Sequence, residues 1–169
     1  GDGPKPSRAS DDYVRETFDN FAGDFDRQLL EDLEYRVPKL IHALFGEIPG
    51  ATTEKLDILD AGCGTGLSGI DFKPHAATLT GVDLSPEMLK RAKERKIYDE
   101  LLELELADFM RGRPAAFELI VAADVFCYIG DLSETFDAAF IALKPGGHLL
   151  FSVEAQSKRG FSLTGSGRY

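Results

Sequence analysis

The chain has 169 residues, 43% of them hydrophobic and 28% charged, with a formal net charge of −10 and an isoelectric point near 4.7. These values fit one soluble domain with its own core and disfavour nucleic acid as a partner, since acidic surfaces repel phosphate backbones. No apolar run is long enough to span a bilayer. The two cysteines, Cys63 and Cys127, form neither a CxxC pair nor a disulfide framework, so we expect a reducing, cytoplasmic setting.

The first third of the chain is polar and then helical. Residues 1–10 are rich in Gly and Pro, which predicts a flexible leader. Over residues 11–50, apolar side chains recur at steps of three and four, including Leu29, Leu30, Leu33, Val37, Leu40, Ile41 and Leu44. This pattern predicts an N-terminal helical cap, which Pro38 either divides or kinks. We expect its aromatic series to serve both as core and as a lid over a ligand: Tyr13, Phe18, Phe21 and Phe25.

Residues 51–155 alternate short apolar runs with helical segments, which predicts an α/β domain with a parallel sheet. The predicted strands are Leu56–Ala61, Ala77–Val82, Leu101–Leu106, Phe117–Ala122 and His148–Val153. Ser85 is expected to cap a helix that begins at Pro86, and Asp131 and Glu134 have the spacing of a capping box. The "KPGGH" segment is expected to end that second helix, and residues 156–169 form a Gly/Ser-rich tail.

Three glycines alternate directly after the first predicted strand, at Gly62, Gly64 and Gly66. Ligands of doubly wound sheets bind beyond the carboxyl ends of the strands, where glycine removes the Cβ that would block their approach. A dinucleotide frame, G-x-G-x-x-G, fails from Gly62 because Leu67 occupies its last position. It is satisfied from Gly64 through Gly69, so an NAD(P)-dependent oxidoreductase stays open. No lysine follows the loop as a P-loop requires.

The loop also fits D/E-x-G-x-G-x-G, the first motif of class I S-adenosylmethionine-dependent methyltransferases. Five segments in order resemble that family's motifs: "DAGCGTG", "TGVDLSPEML", "LELADF", "FELIVAADVFCYI" and "ALKPGGHLLFSV". The segment "YVRETFDNFAGDFD" is similar to the caps of its small-molecule methyltransferases, and within the class the chain most resembles bacterial TPR-associated members. The resemblance implies a Rossmann-like sheet of order 3-2-1-4-5 and methyl transfer from S-adenosylmethionine to an unidentified small-molecule acceptor.

The resemblance assigns the cofactor contacts to Asp60, Gly62, Cys63, Gly64, Gly66, Asp83, Leu84, Met88, Asp108, Phe109 and Ala123. Asp60 would orient the loop and hold the methionyl ammonium through water, and Asp83 would accept from both ribose hydroxyls. Asp108 would accept from the adenine amine, while the Phe109 N–H would donate to a ring nitrogen. For each of the three aspartates, the alternative is a carboxylate that only caps a helix or a loop.

The sequence does not identify a catalytic residue. Asp124 and Tyr128 follow the fourth predicted strand and are candidates by position, the first as a base and the second as an aromatic wall beside the sulfonium. Phe126 shares that position, and for both aromatic residues the alternative is a place in the core. Cys63 is expected to be a small filler within the loop. No metal site is expected, since the three histidines do not cluster in the sequence.

The resemblance also implies two strands after the fifth. We expect strands 6 and 7 to be absent from this chain, and the acceptor half of the pocket to be incomplete. The fifth strand would then be a bare edge or pair with another chain, for instance in a homodimer. A non-catalytic cofactor-binding protein is the remaining interpretation beside the methyltransferase and the oxidoreductase.

Overall fold

The computed structural model describes residues 10–21, 36–51, 53–155 and 168–169. Its helices are α1 (Asp11–Phe21), α2 (Val37–Gly46), α3 (Leu67–Phe72), α4 (Pro86–Glu94), α5 (Leu106–Arg111) and α6 (Ser133–Ala142). Its strands are β1 (Leu56–Ala61), β2 (Ala76–Asp83), β3 (Glu100–Glu103), β4 (Phe117–Ala122) and β5 (Leu143–Phe151). All strand pairs are parallel and the order is β3-β2-β1-β4-β5, which confirms the predicted Rossmann-like sheet.

The residue that caps α4 is the predicted one, whereas the start of α6 differs from the prediction. Ser85 caps α4 as predicted, since its Oγ accepts a hydrogen bond from the Met88 N–H at 3.1 Å. The capping box predicted for α6 is wrong. There Asp131 accepts from the Ser133 N–H at 2.9 Å and the N-cap position falls on Leu132. An aspartate that bonds the amide two residues ahead forms an Asx turn, which uses the carboxylate before the helix begins.

Pro38 is the residue at which the sequence left two alternatives, a break between helices or a kink within one. Pro38 lies in the first turn of α2, where its missing N–H costs nothing, so it begins a helix and kinks none. The predicted positions Leu29, Leu30, Leu33 and Phe25 lie outside the described residues.

Three strands have bounds that differ from the prediction, and of these β2 is longer by one residue at each end, Ala76–Asp83. β3 ends at Glu103 because the chain turns at once into α5, whose N-cap is Glu105. β5 begins at Leu143, so the "KPGGH" segment belongs to the strand. Its irregular register against β4, between Phe117 and Leu119, accommodates the glycines of that segment.

The sheet has a core on each face. The first face packs on α5 and α6, and its buried side chains include Leu59, Val82, Ile120, Phe109, Met110 and Ala138. The second face packs on α2 and α3, with Ile41, Phe45, Ile58, Phe72 and Leu79 buried. Strands covered on both faces read as continuous apolar runs, which is why their positions were visible in the sequence. No helix in the described part of the chain is long and apolar enough to cross a membrane.

Candidate functional site

A cavity of about 210 Å³ lies at the carboxyl ends of β1, β2 and β4. The glycine loop after β1 forms one wall, and the chain after β2, β3 and β4 forms the others. Helix α1 closes it from outside with Asp11, Val14 and Phe18, three positions on one helical face. Of the expected contact residues, those in the lining are Gly62, Cys63, Gly64, Asp83, Leu84 and Ala123.

The glycines of the loop have different reasons to be glycine. A Cβ at Gly62 would stand 2.4 Å from Cγ2 of Val125, so only glycine fits at this position. At Gly64, φ is +52° and a Cβ would meet nothing within 4 Å. This backbone therefore faces open space in the cavity, in a conformation that side chains disfavour. The loop is tied to β2 because the Cys63 N–H donates to the Val82 carbonyl at 3.0 Å.

Asp83 ends β2 and lies beside the open backbone of Gly64. Its Oδ2 accepts from the Gly64 N–H at 2.8 Å and its Oδ1 accepts from the Ser85 N–H at 2.9 Å. Burial raises the pKa of Asp83, and these backbone donors oppose the rise. Both oxygens are held in place, and each carboxylate oxygen keeps a further lone pair for a ligand hydroxyl.

Asp60 lies beneath the loop, only 3% exposed and outside the cavity lining. Its Oδ2 accepts from the Tyr98 hydroxyl at 2.6 Å. The pKa of Asp60 is raised to about 7, chiefly by burial and also by the charge of Asp83, although the hydrogen bond from Tyr98 acts in the opposite direction. The structure thus places Asp60 where it can orient the loop, and its contact with an ammonium stays a prediction.

Cys63 is also nearly buried, at 6% exposure. Burial and the neighbouring carboxylates of Asp60 and Asp83 raise the pKa of its thiol well above the usual range. A neutral thiol is a poor nucleophile, so the small-filler interpretation fits the geometry.

The wall after β3 differs from the expectation by about one helical turn. Leu104, Glu105 and Leu106 line the cavity, whereas the Asp108 side chain is 76% exposed and pairs with Arg111 at 3.1 Å. The strand was expected to run to Leu106, which would have left position 108 on a loop; α5 begins at 106 instead.

Three more of the expected contacts lie in the interior, namely Phe109, Met88 and Gly66. The N–H of Phe109 donates to the Glu105 carbonyl at 3.0 Å within α5, so its predicted bond to adenine does not fit. The Phe109 ring packs in the core at 6.2 Å from that of Phe117. Met88 is fully buried at the start of α4, outside the lining, and so is Gly66, which caps α3.

The wall after β4 holds both catalytic candidates. Asp124 has a left-handed backbone, φ +61°, and its N–H donates to the Ser152 hydroxyl at 2.8 Å. Burial raises the pKa of Tyr128 to about 12, so its phenol stays protonated at neutral pH. Phe126, by contrast, is 1% exposed and belongs to the core.

Arg168 lies in the same wall, and sequence reasoning missed it. It pairs with Asp124, its Nε lies 2.6 Å from Glu154 Oε1, and its guanidinium lies 5.6 Å from the centre of the Tyr128 ring. The next residue anchors it, since the Tyr169 N–H donates to the Cys127 carbonyl at 2.6 Å. A single arginine in a Gly/Ser-rich tail has no periodicity or spacing that could have revealed this position.

Helix α1 is fastened over the cavity by polar bonds and one aromatic contact. The Arg15 Nε donates to the Leu84 carbonyl at 3.1 Å, and Asp19 accepts from the Ser85 hydroxyl at 2.5 Å. The Phe18 ring meets that of Tyr128 edge-on, with 5.3 Å between centres. Of the aromatic residues expected to serve as core and lid, Phe18 lines the cavity and Tyr13 is exposed outside the lining. The side chains of Phe21 and Phe25 lie outside the described part of the chain.

The structure brings together two histidines that are 33 positions apart in the sequence. The Nε2 atoms of His42 and His75 lie 3.2 Å apart, and the two rings pack against those of Phe72 and Phe45. In the part of the chain that the structure describes, no three His, Cys, Asp or Glu side chains are grouped so that they could hold a metal ion.

Residues 59–149 match the sequence profile of a methyltransferase domain family. The chain belongs to this family. With its relatives it falls among the class I S-adenosylmethionine-dependent methyltransferases, as the resemblance implied. The TPR-associated subgroup stays a prediction.

Two curated relatives and one solved structure show the range of the family around this chain. It is 31% identical over 110 residues to a ubiquinone biosynthesis O-methyltransferase of Xylella fastidiosa, covering 63% of this chain and 45% of that protein. It is 32% identical over 114 residues to nodulation protein S of Rhizobium tropici, covering 64% and 48%. The crystal structure of the N-methyltransferase NodS from Bradyrhizobium japonicum with S-adenosyl-L-homocysteine matches with a TM-score of 0.65 at 25% identity, covering 82% of this chain and 71% of that one. The chain spans about half the length of the curated relatives it matches.

Proposed function

We propose that this methyltransferase domain binds S-adenosylmethionine in the cavity and transfers its methyl group to a small-molecule acceptor. The observation that carries the proposal is the open backbone of Gly64 beside the anchored carboxylate of Asp83. A ribose seated on that backbone would present two hydroxyls to the two oxygens of Asp83. Such hydrogen bonds to a charged group contribute about 1.5–3 kcal/mol each.

The charge of the lining supports a cationic cofactor. Four acidic side chains line the cavity, Asp11, Asp83, Glu105 and Asp124, against one basic side chain, Arg168, which pairs with Asp124. They suit the sulfonium and the ammonium of S-adenosylmethionine and would repel the pyrophosphate of a dinucleotide. The oxidoreductase alternative needs the backbone of its second glycine to approach the pyrophosphate, but that glycine, Gly66, is buried and absent from the lining.

The remaining contacts follow from the positions of the walls. We assign the adenine to the wall formed by Leu104–Leu106, in place of Asp108 and Phe109. The methionyl end would lie over the loop from Gly62 to Thr65, above Asp60. Ala123 and Asp124 then face the side on which an acceptor enters.

Methyl transfer of this kind depends mainly on how the protein positions the methyl donor and the acceptor. When bound, S-adenosylmethionine supplies a methyl group on a good leaving group, which a lone pair of the acceptor displaces in line. Holding the two partners aligned in a closed cavity can supply about 7–11 kcal/mol of the barrier. Phe18 and Tyr128 would exclude water from that side.

A base is needed only for an acceptor that must lose a proton. Asp124 is our candidate, with its charge balanced by Arg168. The protonated phenol of Tyr128 suits a hydrogen-bond donor or an aromatic wall. The relatives named above include an O-methyltransferase and an N-methyltransferase, so their names leave the attacking atom of this chain's acceptor undetermined.

Ligand binding tests the proposal directly. S-adenosylmethionine and S-adenosyl-L-homocysteine should both raise the melting temperature with increasing concentration, by an amount equivalent to about 2.7 kcal/mol at one hundred times Kd. NAD and NADP at the same concentrations are the control and should give no shift. No heat and no thermal shift with millimolar S-adenosyl-L-homocysteine would refute the proposal.

Turnover separates an enzyme from a binding protein. A panel of phenol and amine acceptors with radiolabelled methyl donor should give labelled product for at least one class. Binding without transfer across the whole panel would favour the non-catalytic interpretation. The homodimer and the cytoplasmic setting stay predictions.

A further inference from the structure

Tyr98 lies under the glycine loop, between the end of α4 and the start of β3. Its hydroxyl donates to Asp60 Oδ2 at 2.6 Å, so a residue outside every family motif reaches the buried carboxylate behind the loop. The ring does not line the cavity. Any effect that Tyr98 has on a ligand must therefore pass through the loop or through Asp60.

Three glycines make room for this one ring. A Cβ at Gly69 would stand 2.3 Å from the Tyr98 oxygen, and one at Gly81 would stand 2.9 Å from its Cε1. At Gly66 the distance to Cε2 would be 3.0 Å. We call these three glycines the ring cradle. They lie on β2 and at the start of α3, on the side of the loop away from the cavity.

A second contact from the same segment holds the loop further along. The Nε of Arg95 donates to the Thr65 carbonyl at 2.6 Å. Thr65 is 2% exposed and lies between Gly64 and Gly66, so the backbone that faces the cavity is fixed from behind at two points.

We propose that Tyr98 is a positioning residue for the cofactor loop, whose hydroxyl holds the Asp60 carboxylate in a fixed orientation and favours its charged form toward a cationic ligand. The ligand part of this inference rests on the proposed function. The part that concerns Asp60 and the loop does not, because it follows from contacts within the chain.

The electrostatic surroundings of Asp60 show why the hydroxyl matters. Tyr98 and the Gly69 N–H donate to Asp60, while the carboxylate of Asp83 faces it as a like charge and the Cys63 thiol lies nearby. Arg95 faces Tyr98. With burial and these neighbours together the pKa of Asp60 is about 7, and the bond from Tyr98 is the largest contribution that lowers it. Without the hydroxyl, Asp60 would be protonated over more of the neutral range and would lose its charge toward the ligand.

The variant Tyr98→Phe removes only the hydroxyl and leaves a ring in the cradle. Urea unfolding of the ligand-free chain should show a small loss of stability at pH 5.5, where Asp60 is protonated with or without the hydroxyl. The loss should be larger at pH 8.5, where the wild-type bond goes to a charged carboxylate. Tyr13→Phe, on an exposed part of α1, is the matched control and should show no such difference between the two pH values.

Titration with S-adenosyl-L-homocysteine gives the second readout. At pH 7 the Kd of Tyr98→Phe should rise about tenfold, and the rise should shrink toward pH 8.5 as Asp60 ionises. In the Asp60→Asn background, adding Tyr98→Phe should change stability and Kd by the same amount at every pH, because no carboxylate is left to titrate. This second comparison tests the inference independently if Tyr98→Phe alone folds poorly.

Two outcomes would overturn the inference. If Tyr98→Phe lost the same stability at both pH values, Tyr98 would contribute only packing. The same conclusion would follow if the pH profile of Kd for Tyr98→Phe ran parallel to that of the wild-type chain. If the wild-type chain bound no S-adenosyl-L-homocysteine at any pH, the proposed function would fail, and the unfolding experiment would still decide the role of Tyr98.

Discussion

Asp83 has two roles at the scale of single residues. Its oxygens accept from the N–H groups of Gly64 and Ser85, so it joins the glycine loop to the start of α4. The same oxygens lie at the cavity, where the proposed ribose hydroxyls would meet them. A loss of binding in a variant therefore has to be distinguished from a loss of loop structure.

Asp83→Asn should weaken S-adenosyl-L-homocysteine binding by about 1.5–3 kcal/mol, or about 10- to 150-fold, because an amide gives one acceptor oxygen and no charge. Isothermal titration calorimetry measures the change, and thermal melting of the free chain reports on the loop. Asp137→Asn, on the exposed face of α6, is the control. An unchanged Kd with an unchanged fold would mean that Asp83 does not face the ribose.

Helix α1 covers the cavity at the scale of elements. It is an amphipathic helix whose inward positions reach the lining and whose polar side chains bond the loop after β2. The contact of Phe18 with Tyr128 closes the cavity on the side assigned to the acceptor. A helix held mainly by such contacts can limit the escape of a ligand without touching the reacting atoms.

Phe18→Ala should weaken S-adenosyl-L-homocysteine binding by about 0.5–1.5 kcal/mol, or about 2- to 13-fold, chiefly through faster dissociation. Surface plasmon resonance or stopped-flow displacement separates the two rate constants. Tyr13→Ala lies on the same helix, half-exposed and outside the lining, and should leave both rates unchanged. If Phe18→Ala and Tyr13→Ala had equal effects, the cause would be a general destabilisation of α1 and not the loss of the Phe18 ring over the cavity.

Helix α2 and the turn before β2 meet through the side chains of His42 and His75. Burial, the neighbouring His42 and the charge of Lys55 lower the pKa of His75 below its ordinary value of 6.5. The unfolded chain then binds more protons than the folded chain just below pH 6.5, so stability is lost as the pH falls through that range.

His75→Gln should therefore flatten the acid side of the stability profile. We expect the wild-type chain to lose more free energy of unfolding between pH 7.5 and 5 than the variant does, measured by urea denaturation. His148→Gln, on β5, controls for the loss of a histidine elsewhere. A variant profile parallel to that of the wild type would show that the pair does not titrate in this way.

The whole molecule presents an apolar region along one side. β5 is the outermost strand of the sheet that the structure describes, and Phe140 on α6 is 83% exposed. Phe136, Phe151 and Val153 are exposed as well, and the ring centres of Phe136 and Phe151 lie 5.5 Å apart. Exposed edges and apolar surface promote association between chains.

The chain should accordingly associate at high concentration, and Phe140→Lys should reduce the association with little loss of stability, since this side chain is already in solvent. Sedimentation equilibrium over a hundredfold range of concentration tests this, with thermal melting as the check on folding. Leu40→Lys, an exposed site on α2, is the control. A monomer at every concentration would exclude the edge as an association surface.

The sequence alone determined the elements whose signals are local. The bounds of β1 and β4 were predicted to the residue because both strands are buried on two faces and read as unbroken apolar runs. The cap at Ser85 and the glycine loop were visible for a similar reason, since each depends on neighbouring residues. The position of Asp83 at the end of β2 was implied by the resemblance of "TGVDLSPEML" to the family's second motif.

The tertiary structure decided the contacts between distant residues. Tyr98 and Asp60 are 38 positions apart, and Arg168 and Asp124 are 44 apart, so no periodicity or spacing relates them. The end of β3 was predicted three residues too late because the start of α5 depends on a cap at Glu105 that competes with an apolar strand pattern. The burial that sets the pKa of Asp60 also exists only once the sheet, the loop and the ring of Tyr98 are packed together.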